Sequence, residues 1–253
     1  MSRRARALAV LPGAITVAGM IATPLARRGG APRRTLSTVV VAGLAATTAM
    51  SSARRWGVPR TASAALAVSL GAGLIERVGT DSGIPFGRYA YTDALQPQVG
   101  GVPAIVPMAW FAMAVPARET AHAALGARST PLTRVAVGAA ALTAWDLFLD
   151  PQMVGEGYWR WELPGRYRGI PLSNFVGWFI TSLGVMTVLE IALPPKNEPS
   201  AALVGQYGYM AAMETLGFAV FFKDRIVAAA GGAGMLPIAG IAALRMLRRR
   251  SGA

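Results

Sequence analysis

Cysteine is absent from this chain of 253 residues, and histidine occurs once, as His122. The first absence excludes disulfides, thiolate catalysis and Cys-ligated metals, and the second excludes multi-histidine metal sites. Charge is scarce too. Asp, Glu, Lys and Arg make up 15% of the residues against 53% hydrophobic ones, and mean hydropathy is +0.43. Such a balance is too apolar for an ordinary soluble domain. Acids are the scarcer sign, 12 against 25 bases, giving a net charge of +13. That excess does not point to nucleic acid. The bases sit mostly between apolar runs, where they act as topology signals and lipid-headgroup contacts. The apolar runs lack the alternation that membrane β-strands require. The short glycine motifs lack the strand–turn–helix setting of a nucleotide site.

What is present is a series of apolar runs of roughly 17–22 residues, each long enough to cross a hydrocarbon core. The chain therefore reads as all-α: a polytopic transmembrane helical bundle of about seven or eight helices. They are expected near 5–25, 35–51, 61–77, 100–117, 133–150, 172–193, 201–222 and 226–246. The N-terminal Arg3, Arg4 and Arg6 followed by an apolar stretch have the layout of a signal peptide. The run to Leu25 is long for one and further spans follow, so it reads as the first helix. No linker or separate soluble domain is visible, so residues 1–253 read as one integral-membrane domain. A small excess of Lys and Arg, ending in Arg245, Arg248, Arg249 and Arg250, points to both termini being cytoplasmic. Arg27, Arg28, Arg33 and Arg34 count against that orientation. The Ala-, Gly- and Arg-rich composition suits a GC-rich bacterial genome, so the expected location is a bacterial cell membrane, crossed several times.

Two stretches echo each other. Gly87-Arg-Tyr89 is followed by Gly101-Val-Pro103 and Trp110-Phe111; Gly165-Arg-Tyr167 is followed by Gly169-Ile-Pro171 and Trp178-Phe179. The Pro-to-Trp spacing is the same in both. Each copy follows an apolar segment ending in acid: Glu76 in one, Asp146 and Asp150 in the other. The echo predicts duplicated helical hairpins over 61–117 and 133–193 around one site. Acids beside a lipid-facing run are costly and default to function.

Asp146 and Asp150 are four apart, which puts both on one helix face. Like charges that close favour one group keeping its proton, and an acid that does so near neutral pH serves as a general acid. The bland alternative makes Asp150 a solvated helix end before Pro151. Glu76, next to Arg77, is either an interfacial ion pair or a second carboxyl at the height of the Asp pair. Glu214, apolar on both sides, is a functional group or the partner of an Arg. Asp224, within Lys223-Asp-Arg225, is a site residue or a solvated charge. The run Gly155–Glu162 holds Tyr158, Trp159 and Trp161, as a membrane-interface belt or as an aromatic lid able to shield a cation. Asn174 and Trp178, at i and i+4, could orient water or a carboxylate, or make interhelical contacts. Tyr89, Tyr91, Trp110, Tyr207 and Tyr209 read first as packing or interface residues, with site-lining as the alternative for each. His122 reads as a surface-loop residue.

The segments Trp145-Asp-Leu-Phe-Leu-Asp-Pro151, Trp159-Arg-Trp161 and Gly165-Arg-Tyr-Arg-Gly-Ile-Pro-Leu-Ser-Asn-Phe-Val-Gly-Trp178 resemble the integral-membrane carotenoid biosynthesis family. Its characterised members include carotenoid ψ-end hydratases of the bisanhydrobacterioruberin hydratase type. Pro85-Phe-Gly-Arg-Tyr-Ala-Tyr91 with Gly101-Val-Pro103 looks like the family's earlier block, and the resemblance spans about 70–225. It implies hydration of the terminal C=C of an acyclic carotenoid to a tertiary alcohol. Protonation at the less substituted carbon leaves a tertiary cation, which water captures. That chemistry needs an acid, a cation-tolerant pocket and a placed water, with no cofactor and no metal. Under this resemblance Asp146 or Asp150 is the proton donor, and Glu76 or Asp224 the second acid/base. Trp159, Trp161 and Tyr167 shield the cation. Asn174, Trp178, Tyr89, Trp110 and Glu214 complete the substrate contacts. The implied partners are membrane lipid, the carotenoid and other membrane enzymes of its pathway. A carotenoid cyclase, which starts from the same protonation, and a transporter or carotenoid-binding scaffold are the competing readings.

Overall fold

The computed structural model describes residues 3–251, without the side chains of 3–10 and 250. Met1, Ser2, Gly252 and Ala253, and the side chains of Arg3, Arg4, Arg6 and Arg250 weighed above, lie outside the described residues. Eight α-helices follow one another: α1 (Arg3–Ala22), α2 (Ala31–Trp56), α3 (Val58–Ser82), α4 (Ile105–Leu125), α5 (Pro131–Glu156), α6 (Leu172–Ala192), α7 (Ala201–Leu216) and α8 (Arg225–Ser251). Four short strands lie in the two long connections: β1 (Tyr89–Tyr91), β2 (Gln98–Val99), β3 (Val102–Pro103) and β4 (Trp159–Trp161). The chain is an all-α bundle.

Local chemistry sets the helix ends. Pro32, Pro59 and Pro131 sit in the first turns of α2, α3 and α5, where a missing N–H costs nothing. Thr130 and Thr133 form a reciprocal cap on α5, and Ser200 caps α7. Gly157 ends α5 at φ 73°, a left-handed cap that side chains resist.

Among the described residues five helices, α2, α3, α5, α6 and α8, are long and apolar enough to cross a membrane, which makes this a multi-pass membrane protein. The fourth helix, which carries Arg118, Glu119 and His122, is not among them, yet it is the hub. It packs against α2, α3, α5, α7 and α8, and every residue from Ala109 to Ala123 is buried. Small residues at Ala112, Ala114, Ala117 and Ala121 let neighbouring backbones approach closely.

Prolines inside two helices shape the centre. The sequence suggests that α5 stops at Asp150, before Pro151; in fact it runs on to Glu156. Pro151 leaves the carbonyl of Leu147 without its helical partner. Tyr167 supplies one, donating its hydroxyl to Leu147 O at 2.8 Å. The same repair occurs in α4, where Pro116 frees the carbonyl of Ala112. That oxygen accepts from Thr48 Oγ1 at 2.8 Å and Gln206 Nε2 at 3.1 Å. Side chains from neighbouring elements thus permit helical proline where no water would satisfy the backbone.

Strand β1 pairs antiparallel with β4, with Tyr89 opposite Trp161 and Tyr91 opposite Trp159. This ribbon joins the connection after α3 to the connection after α5. It folds the two hairpins of the sequence echo toward each other.

Candidate active site

The helical spacing of Asp146 and Asp150 points both carboxyls at the start of α6. There Asn174 donates its amide to both, to Asp146 Oδ2 at 2.7 Å and to Asp150 Oδ2 at 2.5 Å. Asp150 Oδ1 accepts from the Trp159 indole at 2.6 Å. Both acids are almost wholly buried, Asp146 at 0% and Asp150 at 2% exposure. They differ in access. Asp150 and Asn174 line a cavity, whereas Asp146 sits behind them with Oδ1 lacking a protein partner. The solvated-end reading of Asp150 is therefore excluded by its burial within a continuing helix.

Glu76 projects from α3 into the same cavity. Its carboxyl accepts from the hydroxyls of Tyr89 and Tyr91, the latter at 2.7 Å, and from Trp110 Nε1 at 3.0 Å. It is not an interfacial pair with Arg77, which turns outward to Asp81 at 3.0 Å. Residues two apart on a strand share a face. Tyr89-Ala-Tyr91 and Trp159-Arg-Trp161 therefore send four aromatic rings inward, while Ala90 and Arg160 are exposed.

The cavity is about 270 Å³. Trp110 and Trp178, the two tryptophans of the sequence echo, stack in its wall with centroids 4.0 Å apart and planes within 15°. Trp145 meets Trp178 edge-on at 6.2 Å, and Tyr91 meets Trp159 edge-on at 5.6 Å. Among the described residues, Glu76, Asp146, Asp150 and Glu214 have no Lys or Arg within ion-pair distance. Nor does any group of three His, Asp or Glu side chains converge as metal ligands do. The chain's own residues here offer carboxyls held by neutral donors, enclosed by π faces. Such a set can give and take protons beside a cation.

Asp150, Glu76, Trp159, Trp161, Asn174, Trp178, Tyr89, Trp110 and Glu214 all line this cavity. Four sequence expectations need correcting. Tyr167 does not line it, because its hydroxyl is taken by the carbonyl that Pro151 frees. The two Gly-Arg-Tyr motifs are not equivalent in space, since the first enters β1 and the second follows β4 in a separate turn. Asp224 does not line it either. It pairs with Arg168 at 2.6 Å and caps the start of α8 through Val227 N at 3.1 Å. Partial burial works against charge on Asp224, but the Arg168 and backbone hydrogen bonds outweigh it and hold the carboxyl below the usual aspartate value. His122 is no surface-loop residue but is buried in the last turn of α4. Tyr91 and Tyr158 also line the cavity, which settles for lining the two readings the sequence left open for each. The signal was the period-two aromatic spacing of Tyr-Ala-Tyr and Trp-Arg-Trp.

The family described as "Carotenoid biosynthesis protein" matches residues 35–247, most of the chain, and this protein belongs to it. The match reaches past the 70–225 stretch on which the resemblance rested, taking in most of α2 and most of α8. The chain is also similar to the bisanhydrobacterioruberin hydratase of Haloarcula japonica, 34% identical over 109 residues. That stretch is 42% of this chain and 37% of the relative, so the chain matches well under half of the relative's length. No solved structure matches significantly. The protein is thus a membrane member of a carotenoid biosynthesis family.

Proposed function

We propose that the protein hydrates the terminal C=C of an acyclic carotenoid within the cell membrane. One observation carries this reading. Two carboxyl sites of unlike surroundings, Asp150 with Asn174 and Asp146 on one side and Glu76 with three donors on the other, open into one aromatic cavity. The hydratase relative supports it.

The roles follow from the hydrogen bonds. Asp150, in its acid form, gives its proton to the less substituted alkene carbon, and the π electrons form the new C–H bond. Trp159 N–H and Asn174 stabilise the carboxylate left behind. The tertiary cation lies among Trp159, Trp161 and the Trp110–Trp178 stack. A ring face stabilises a cation by about 0.5–2 kcal/mol. Water adds to the cation and passes a proton to Glu76, which the two tyrosines and Trp110 hold ready as an acceptor. Return of that proton to Asp150 through solvent closes the cycle, with one water added and nothing oxidised. Asp146 is a positioning residue: through Asn174 it holds the acid in place without reaching the cavity.

The test is pigment mass spectrometry on a host making acyclic carotenoids, with and without this protein. A gain of one water per modified end, lost in Asp150→Asn, is the expected result. A product of unchanged mass and shortened chromophore identifies a cyclase and overturns the role of water. An unmodified carotenoid that co-purifies with the protein identifies a scaffold.

A further inference from the structure

The cavity holds the end of a long polyene but not its length, so the rest of the molecule must leave by an opening. Among the described residues that line the cavity, three are exposed on the outer surface: Ile21 at 51%, Leu216 at 58% and Phe221 at 53%. All three are apolar. Ile21 lies at the end of α1, Leu216 at the end of α7 and Phe221 at the end of the π-helical turn Gly217–Phe221, and Arg33 joins the segments that follow, meeting both Thr23 O and the Phe222 ring. Single π turns inside helices often mark functional sites. An apolar rim on a multi-pass protein opens to lipid, because a mouth to water would leave apolar area exposed to it.

We infer that this opening is a lateral mouth through which the polyene shaft lies, its end at the carboxyls and its remainder in the bilayer. The inference rests on the carotenoid reading above. Behind the rim the wall is Met20, Met210 and Met213, flexible side chains that adapt to a rigid conjugated chain. Glu214 lies on the same wall, two residues before Leu216. It is the carboxyl nearest the rim in sequence, and among the described residues no protein donor reaches it at hydrogen-bond distance.

One jamb of the mouth is tied down by a buried arginine. Arg33, 3% exposed, donates to the carbonyls of Thr23 and Ala26, each at 2.9 Å, and to Glu156 at the end of α5 at 2.6 Å. Its guanidinium also lies 5.7 Å from the Phe222 ring centroid. The α1–α2 connection is thereby pinned to the helix that carries Asp150. This explains how α1, which packs chiefly on α2, keeps a fixed place in the cavity wall.

The experiment places a photo-crosslinking residue at Ile21, at Leu216 and, as a lipid-facing control, at Leu66. That control is exposed on α3 and does not line the cavity. The full chain is irradiated in membranes of a host making an acyclic carotenoid. Several-fold more carotenoid adduct at Ile21 and Leu216 than at Leu66 is expected. Equal yields at all three overturn the mouth, whether or not hydration is seen. A second measurement uses Ile21→Trp and Leu216→Trp with the long carotenoid and with a short acyclic isoprenoid of the same end group. Overfilling the mouth is expected to lower the long-to-short conversion ratio roughly tenfold. An unchanged ratio overturns the mouth. Rim adducts without any hydration by the wild type would instead sink the hydratase reading and leave the mouth standing.

Discussion

Apart from Glu156, which Arg33 holds beside the mouth of the cavity, buried acids cluster at two ends of this bundle, and the two ends partner them in opposite ways. Away from the cavity they meet guanidinium groups. Arg118, fully buried, lies 3.1 Å from Glu119 and 3.6 Å from Glu190; Arg134 reaches Glu190 at 2.6 Å, and Arg55 reaches Glu119 at 3.5 Å. Around the cavity the donors are neutral: the Asn174 amide, the indoles of Trp110 and Trp159, and the hydroxyls of Tyr89 and Tyr91. A guanidinium fixes a carboxylate as an anion and so removes it from proton transfer. A neutral donor orients the carboxyl and leaves both of its protonation states accessible. The first arrangement holds α2, α4, α5 and α6 together, and the second can do chemistry.

The largest test of that contrast is Asp150→Asn, which keeps the volume and removes the acid. Conversion of the carotenoid should fall by about 10²–10⁴-fold, the usual worth of a general acid. The amount of folded protein, followed by detergent size exclusion, should stay near wild type. Glu76→Gln should act in the same direction and also spare folding.

At the other end the pattern should invert. Arg118→Met leaves Glu119 buried beside an incomplete partner set, and breaking such a pair costs about 3–5 kcal/mol. Thermal stability in detergent should drop sharply, while conversion per folded molecule should persist. A variant that lost conversion yet kept its stability would erase the distinction between the two clusters.

Tyr167→Phe sharpens the comparison, because Tyr167 stands beside the site without lining it. Removing its hydroxyl strands the Leu147 carbonyl that Pro151 freed, at about 1–3 kcal/mol. The expected signature is lower thermal stability with the product mass unchanged.

The smallest effect concerns the surface pair Arg168–Asp224. The folded-state carboxyl sits below its usual value, so its contribution is present above the unfolded value of about 3.9 and is lost as pH falls through the folded one. With Arg168 42% exposed, solvent screening limits the pair to about 0–1 kcal/mol. Arg168→Ala should therefore lower thermal stability slightly near neutral pH, and the difference from wild type should vanish in strong acid.

Much of the architecture was legible locally. Apolar run length marked the eight helices and their starts to within five residues, while α2, α3, α4, α5 and α8 run five to eight residues past the expected ends; four-residue spacing put Asp146 and Asp150 on one face. The Pro-to-Trp echo picked out Trp110 and Trp178, which stack. The misreadings share one cause. Tyr167 and Asp224 sit in motifs that look like site motifs, yet their partners, Leu147 O and Arg168, come from other elements. The helix through Pro151 was not legible either, because the hydroxyl that permits it belongs to a turn after β4. His122 looked like a loop residue because the fourth helix was expected to end near 117, whereas α4 runs on to Leu125 and buries it.

By itself, the sequence determined the helical class, the membrane setting and which side chains could carry acid or aromatic chemistry. Those properties follow from hydrophobic run length, from helical and strand periodicity, and from the cost of placing charge in lipid. Only the tertiary structure decided which acids meet arginine and which meet neutral donors, which of two adjacent aspartates reaches the cavity, and where that cavity opens. These outcomes depend on how α3, α5 and α6 and the β1–β4 ribbon cross in space. Residues 15 to 34 positions apart are brought within hydrogen-bond reach by packing, and no local pattern along the chain encodes that.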